Sequence, residues 1–222
     1  MHEHSASFNY VEGFGLYDSK HDGSLLEEAL RKAQSYETLV LFLGLDDFSE
    51  MEGKDRDNLS LPQNQLALVK ALAGLGKKIV VVYFGGSAVE VPFVNEIKAF
   101  LAMYLPGEMG GEACYRLLYG LENPSGKLAE SWPTSYSSVP FGESFSRGRE
   151  EYYREGIFVG YRYYLSHPEF VRFPFGHGAT MGTSALPTTK MAKWWTLGFR
   201  LPIRGKLIWP IVLLSRALQI IL

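Results

Sequence analysis

The sequence predicts an α/β fold: a three-layer sandwich in which helices flank a mostly parallel sheet, followed by an irregular tail. Three observations carry this. Two short, wholly apolar runs, Leu39-Val40-Leu41-Phe42-Leu43 and Ile79-Val80-Val81-Val82-Tyr83-Phe84, have the length and β-branched content of buried strands. Amphipathic helical patterns alternate with them. Turn residues follow each run, at Gly44 and at Gly85-Gly86. Short apolar strands alternating with helices imply a parallel sheet covered on both faces.

In order, Ser24 followed by Glu27 matches a capping box. Leu25, Leu26, Ala29, Leu30 and Ala33 then repeat at helical spacing, predicting a helix over about 24–36. The run at 38–43 is a strand. Pro62 suits the first turn of a helix, where its missing N–H has no partner in any case. Leu66, Val69, Leu72 and Leu75 continue one face toward a stop at Gly76. After the second strand, 93–102 reads as a short helix running into the apolar segment Ala99 to Tyr104. Pro106-Gly107-Glu108-Met109-Gly110-Gly111 is a turn opening a helix that runs to Tyr119 and is closed by Gly120. From Asn123 to Gly178 the texture changes to turns, aromatics and charge. Asn123-Pro124-Ser125-Gly126 is a strong turn signal. The crowded aromatics Tyr152, Tyr153, Phe158, Tyr161, Tyr163 and Tyr164 suggest a strand with large side chains on both faces.

Composition bounds the function. The chain has 222 residues, 46% hydrophobic and 21% charged, enough to bury a core. A net charge of −2 gives no footprint for nucleic acid. The single cysteine, Cys114, excludes an internal disulfide and a cysteine zinc cluster. It lies on an apolar helix and reads as a small core residue rather than a nucleophile. The histidines at 2, 4, 21, 167 and 177 have no metal-ligand spacing. No Gly-x-Ser-x-Gly elbow and no Gly-Lys-Ser/Thr phosphate loop occurs. The N-terminus lacks a basic region followed by an apolar run, so a cytoplasmic setting is expected.

Charge is unevenly spread. From Ala179 to Leu222 there are six basic residues and no acidic one, leaving 16 basic and 24 acidic residues in 1–178. The expected organisation is therefore a sandwich domain over 1–178 and a divergent basic, apolar tail over 179–222. The apolar run Leu207 to Leu222 is 16 residues long and broken by Pro210, Arg216 and Gln219. That is short of the ~20 residues needed to span a bilayer, so a membrane is not an expected partner. Three readings of the tail stand: a disordered, unrelated or frame-shifted end, an interfacial amphipathic helix, or a packed helix.

The chemistry concentrates in Glu50-Met51-Glu52-Gly53-Lys54-Asp55-Arg56, just past the first apolar run. The open end of a parallel strand is where α/β folds place ligands, although a charged loop is on its own terms a solvated loop. Glu50 reads as a solvated loop charge and as the rival of Glu52. Asp55 and Arg56 read as loop supports, joined by an Arg–carboxylate fork.

Five strings, taken together, resemble the second, sandwich-type domain of glycoside hydrolase family 3, the β-glucosidase and β-xylosidase group. They are Glu52-Gly53-Lys54-Asp55-Arg56 with Leu59-Ser60-Leu61-Pro62 and Gln65; Pro106-Gly107-Glu108 with Gly110-Gly111-Glu112; Asn123-Pro124-Ser125-Gly126-Lys127-Leu128 with Ser131-Trp132-Pro133; Gly156-Ile157-Phe158-Val159-Gly160-Tyr161-Arg162-Tyr163-Tyr164; and Phe173-Pro174-Phe175-Gly176-His177-Gly178. The resemblance implies that Glu52 is the general acid/base for retaining hydrolysis of a terminal β-linked sugar, with no cofactor. It also implies a (β/α)8 barrel as partner, in cis or in trans, carrying the nucleophilic Asp; nothing in these residues resembles that barrel. The chain alone is then expected to be inactive. A non-catalytic carbohydrate-binding or assembly module is the alternative. A flavodoxin-like ligand-binding domain, which the alternation alone permits, leaves the Asn-Pro-Ser-Gly and Phe-Pro-Phe-Gly strings unexplained.

Overall fold

The computed structural model describes residues 8–16, 23–142, 149–150, 152–178 and 220–221. The elements are β1 (Tyr10–Val11), α1 (Gly23–Ala33), β2 (Thr38–Gly44), α2 (Gln63–Ala73), β3 (Lys78–Phe84), β4 (Ala99–Tyr104), α3 (Gly110–Leu118), β5 (Trp132–Pro133), α4 (Tyr161–Ser166), β6 (Val171–Phe173) and β7 (Ile220–Ile221). The chain divides into two compact units, one of Met1–Gly111 with Arg204–Leu222 and one of Glu112–Ile203.

The first unit is built on a five-stranded sheet ordered β1-β7-β2-β3-β4. Strand β2 runs parallel to β3, and β3 parallel to β4, while β7 pairs antiparallel with β1 and β2. The sheet is thus mostly parallel and flanked by helices, as the alternation of elements requires. In β3, Ile79, Val80, Val81, Val82 and Tyr83 are all buried, which explains why that strand reads as a continuous apolar run. In β2 the burial alternates instead: Leu39, Leu41 and Leu43 are fully buried, while Val40 and Phe42 are half-buried. Helix α2 turns Leu68, Val69 and Leu72 into the core, and α1 turns in Ala29 and Ala33.

Two expectations are corrected here. The helix anticipated over 93–102 is two single turns, closed by Val94 N–H to Val91 O (3.3 Å) and Glu96 N–H to Phe93 O (2.9 Å). They lead into β4, because the apolar segment finds a ladder beside β3, where Val80 stands opposite Ala99 and Val81 opposite Phe100. Helical spacing in a short apolar run does not distinguish the two outcomes. Ser24, the anticipated cap, is the second residue of α1 rather than the residue before it.

The second unit holds β5 and β6 as an antiparallel pair, with Trp132 fully buried and set edge-on to Phe173 (centroids 6.0 Å apart, planes at 66°). Beyond this pair, two turn-rich strings fifty residues apart in sequence meet. Leu128 N–H donates to His177 O and Gly176 N–H to Leu128 O, both at 2.9 Å. Lys127 Nζ donates to Gly178 O (2.9 Å), and Phe175 N–H to Ser131 Oγ (3.1 Å). The aromatic stretch expected as a strand is instead a series of turns followed by α4. Gly160, at φ +54°, sets that helix off, and within it Tyr164 is buried, while Tyr152 and Tyr153 are exposed. Of the tail beyond residue 178, only Ile220–Ile221 are described, as strand β7; the expected boundary there and the three readings of the tail otherwise lie outside the described residues. No helix among the described residues is long and apolar enough to cross a membrane.

Candidate active-site loop

Parallel strands end on the same side, so the segments after Gly44, Phe84 and Tyr104 leave one edge of the sheet together. The end of β2 is fixed from both flanks. Leu45 N–H donates to Phe84 O (3.1 Å) on one side. On the other, the buried amide of Gln65 accepts from Gly44 N–H (3.0 Å) and donates to Gly44 O (2.8 Å). Gln65 thereby makes both hydrogen bonds that a further strand would make there.

Past this point Asp46 organises a turn: its Oδ1 accepts from Phe48 N–H (3.1 Å) and Ser49 N–H (2.7 Å). The chain then forms a narrow hairpin, Met51 bridging antiparallel to Lys54 with Glu52 and Gly53 at the tip. Gly53 has φ +81°, the value a type II turn needs at its third residue and one that L side chains rarely adopt. Nothing lies within 4 Å of where a Cβ would stand on Gly53, so the glycine serves the backbone angle and not a close approach. Glu52 is exposed. It stands where the strand order puts it, above the carboxyl edge of the parallel sheet.

Glu50 was expected as a solvated loop charge, and this is corrected. Its Oε2 accepts from Gly86 N–H and its Oε1 from Ser87 Oγ–H, both at 2.6 Å. Charge-assisted bonds of this length hold a carboxylate firmly. The Asp55–Arg56 fork is corrected as well. Arg56 Nη1 donates to Ser87 Oγ (2.9 Å) and Ala88 O (3.0 Å), so Arg56 braces the loop against the segment after β3. Asp55 is exposed, and among the described residues it makes no ion pair with Arg56.

A cleft of about 420 Å³ opens beside the loop, lined by Asp46, Phe48, Asn58, Ser60 and Gln63 among others. Glu52 is not on its wall. The cleft sits at the start of α2, where Asn64 Nδ2 also ties down the N-terminal segment through Gly15 O (2.8 Å). Elsewhere, burial pushes the Cys114 thiol up to about 12, which leaves it protonated and unreactive at neutral pH. Burial, and then the charge of Lys127, lower the His177 imidazole from its ordinary value. Among the described residues no group of three or more His, Cys, Asp or Glu could hold a metal ion.

The glycosyl hydrolase family 3 C-terminal domain matches residues 7–161. A thermostable beta-glucosidase B of Acetivibrio thermocellus is 43% identical over 170 residues, covering 76% of this chain and 22% of that protein. An exo-alpha-(1->6)-L-arabinopyranosidase of Bifidobacterium longum is 35% identical over 194 residues, covering 86% of this chain and 26% of that protein. Among solved structures, a beta-glucosidase of Bifidobacterium adolescentis superposes with a TM-score of 0.71 at 39% identity, covering 77% of this chain and 26% of that one. The chain thus spans about a quarter or less of the length of the curated relatives it matches.

Proposed function

The chain belongs to the glycosyl hydrolase family 3 C-terminal domain family, and on that premise we propose that it supplies the general acid/base of a retaining β-glycosidase through Glu52. The observation that carries this is the hairpin tip: a carboxylate exposed above the sheet's carboxyl edge, on a turn whose neighbouring carboxylate, Glu50, is already engaged. Glycoside hydrolysis with retention needs an acid that protonates the leaving oxygen and then, as a base, activates water. Of the two glutamates on this stretch, Glu50 is engaged and Glu52 is exposed.

Retaining hydrolysis also needs a nucleophilic carboxylate about 5–5.5 Å from the acid/base. In this reading it comes from a (β/α)8 barrel that meets the sandwich domain in cis or in trans, and the substrate is a terminal β-linked sugar such as a β-glucoside. No cofactor is required. The relatives named above differ in the sugar they are named for, so sugar preference follows the partner that completes the cleft.

The test is leaving-group dependence. With a relative's barrel domain supplied in cis or in trans, Glu52→Gln is expected to slow hydrolysis of alkyl glycosides by about 10²–10⁴-fold. It is expected to affect 2,4-dinitrophenyl glycosides far less in the first, bond-breaking step, because that leaving group departs without a proton. Equal rates for Glu52→Gln and the parent protein on alkyl glycosides would remove the assignment.

A further inference from the structure

The hairpin that carries Glu52 has little to hold it in place by itself. One 3.4 Å backbone bond, Lys54 N–H to Met51 O, closes it, Lys54 Nζ adds an exposed 3.2 Å bond to Phe48 O, and Met51 is 52% exposed. A two-stranded hairpin of this size is marginal in water. Beyond that exposed lysine contact, the hairpin is held at its two feet, and both feet reach one residue. Glu50, before the hairpin, accepts the hydroxyl proton of Ser87; Arg56, after it, donates to the same oxygen. Each foot has a second bond to the adjoining backbone, Glu50 to Gly86 N–H and Arg56 to Ala88 O.

The platform is itself fixed. Tyr83 Oη–H donates to Ser87 O (2.9 Å), and Gly85 N–H to Tyr104 O (3.2 Å). Gly86 leaves room for the carboxylate, since a Cβ there would meet Glu50 Oε1 at 3.3 Å.

We propose that Glu50 and Ser87 are positioning residues, with Ser87 the shared anchor that, together with Arg56, holds the Glu52 hairpin at a fixed height above the sheet edge. The catalytic half of this rests on the acid/base reading of Glu52; the ordering half does not. A hydroxyl at position 87 can donate to one foot while accepting from the other. Alanine serves neither, and threonine serves both.

The ordering half is tested on the 222-residue chain by backbone ¹⁵N relaxation of Gly53 and Lys54. Ser87→Ala is expected to mobilise both amides while residues of β2 and β3 keep their order, and Ser87→Thr to restore them. Gly53 and Lys54 as ordered in Ser87→Ala as in the parent chain would overturn the proposal. The catalytic half is tested with the barrel supplied. Ser87→Ala is expected to lower kcat/KM for alkyl glycosides by about tenfold or more while leaving dinitrophenyl glycosides within about twofold, with recovery in Ser87→Thr. An equal loss on both substrates, or none, would overturn it. Glu52→Gln, measured alongside, separates the two ideas: if it is indifferent to the leaving group, the acid/base reading fails, and the relaxation data still decide the anchor.

Discussion

Glu50 and Glu52 are two residues apart and in opposite circumstances. The first is fastened by two 2.6 Å hydrogen bonds to Gly86 and Ser87, and the second is exposed at the tip of a two-residue turn. One carboxylate is engaged by the segment after β3, and the other faces solvent.

Gln65 should be among the costliest single polar residues in the first unit to replace. Its amide satisfies both Gly44 N–H and Gly44 O, and Gly44 is buried. Gln65→Met keeps the volume and orphans both groups. At roughly 1–3 kcal/mol for each buried group left unpaired, a loss of about 2–6 kcal/mol is expected. Urea unfolding followed by circular dichroism measures it, with the midpoint falling and the slope unchanged.

Gly85→Ala tests the packing under the platform. A Cβ there would lie 2.1 Å from Tyr83 Oη and 2.6 Å from its Cζ. Tyr83 is fully buried and stacked on Phe100 (centroids 6.0 Å apart), so the ring has no room to yield. Overpacking of this kind costs about 1–3 kcal/mol. Gly23→Ala, where no atom lies within 4 Å, is the control and should cause no loss. The same unfolding midpoint compares the two.

Cys114 should be silent to a thiol reagent in the folded chain at pH 8 and react on unfolding, as its burial and its pKa of about 12 require. The sign of the linked pH effect follows. The folded pKa is raised, so the stabilisation from keeping the thiol neutral is fully present below the unfolded value of about 8.5 and is lost as pH rises from there toward about 12. Reaction with dithionitrobenzoate across denaturant and pH measures both.

Much of the sheet was legible because burial on both faces forces apolar runs: Ile79 to Tyr83 could scarcely be anything but a covered strand. Pro62 and Gly76 likewise marked α2 to within a few residues, with Gly76 at φ +67° beyond the helix end. The helix expected over 93–102 gives way to strand from Ala99 because a short apolar run carries no period that separates strand from helix; the neighbouring strand decides. The aromatic stretch from Tyr152 was misread because turns set by Gly156 and Gly160, both at positive φ, outweigh the strand propensity of its tyrosines.

The candidate site divides the same way. The position of Glu52 on a loop past the first strand was legible from the order of apolar and charged residues. The anchoring of Glu50 was not, because its partners Gly86 and Ser87 lie 36 and 37 residues away, brought near only by the parallel pairing of β2 with β3. The signal available was Gly85-Gly86 after the second apolar run, which marks close approach of backbone to something and does not say what.

Azide rescue probes the role of Glu52 at the atom concerned. Removing the side chain in Glu52→Ala takes away the base and opens space on the face from which water attacks, and a small anion needs no base. In protein supplied with the barrel, activity on an aryl glycoside should collapse in Glu52→Ala and return with azide, giving a β-glycosyl azide of retained configuration. Undiminished activity in Glu52→Ala, or azide rescue of Glu50→Ala in its place, would contradict the assignment.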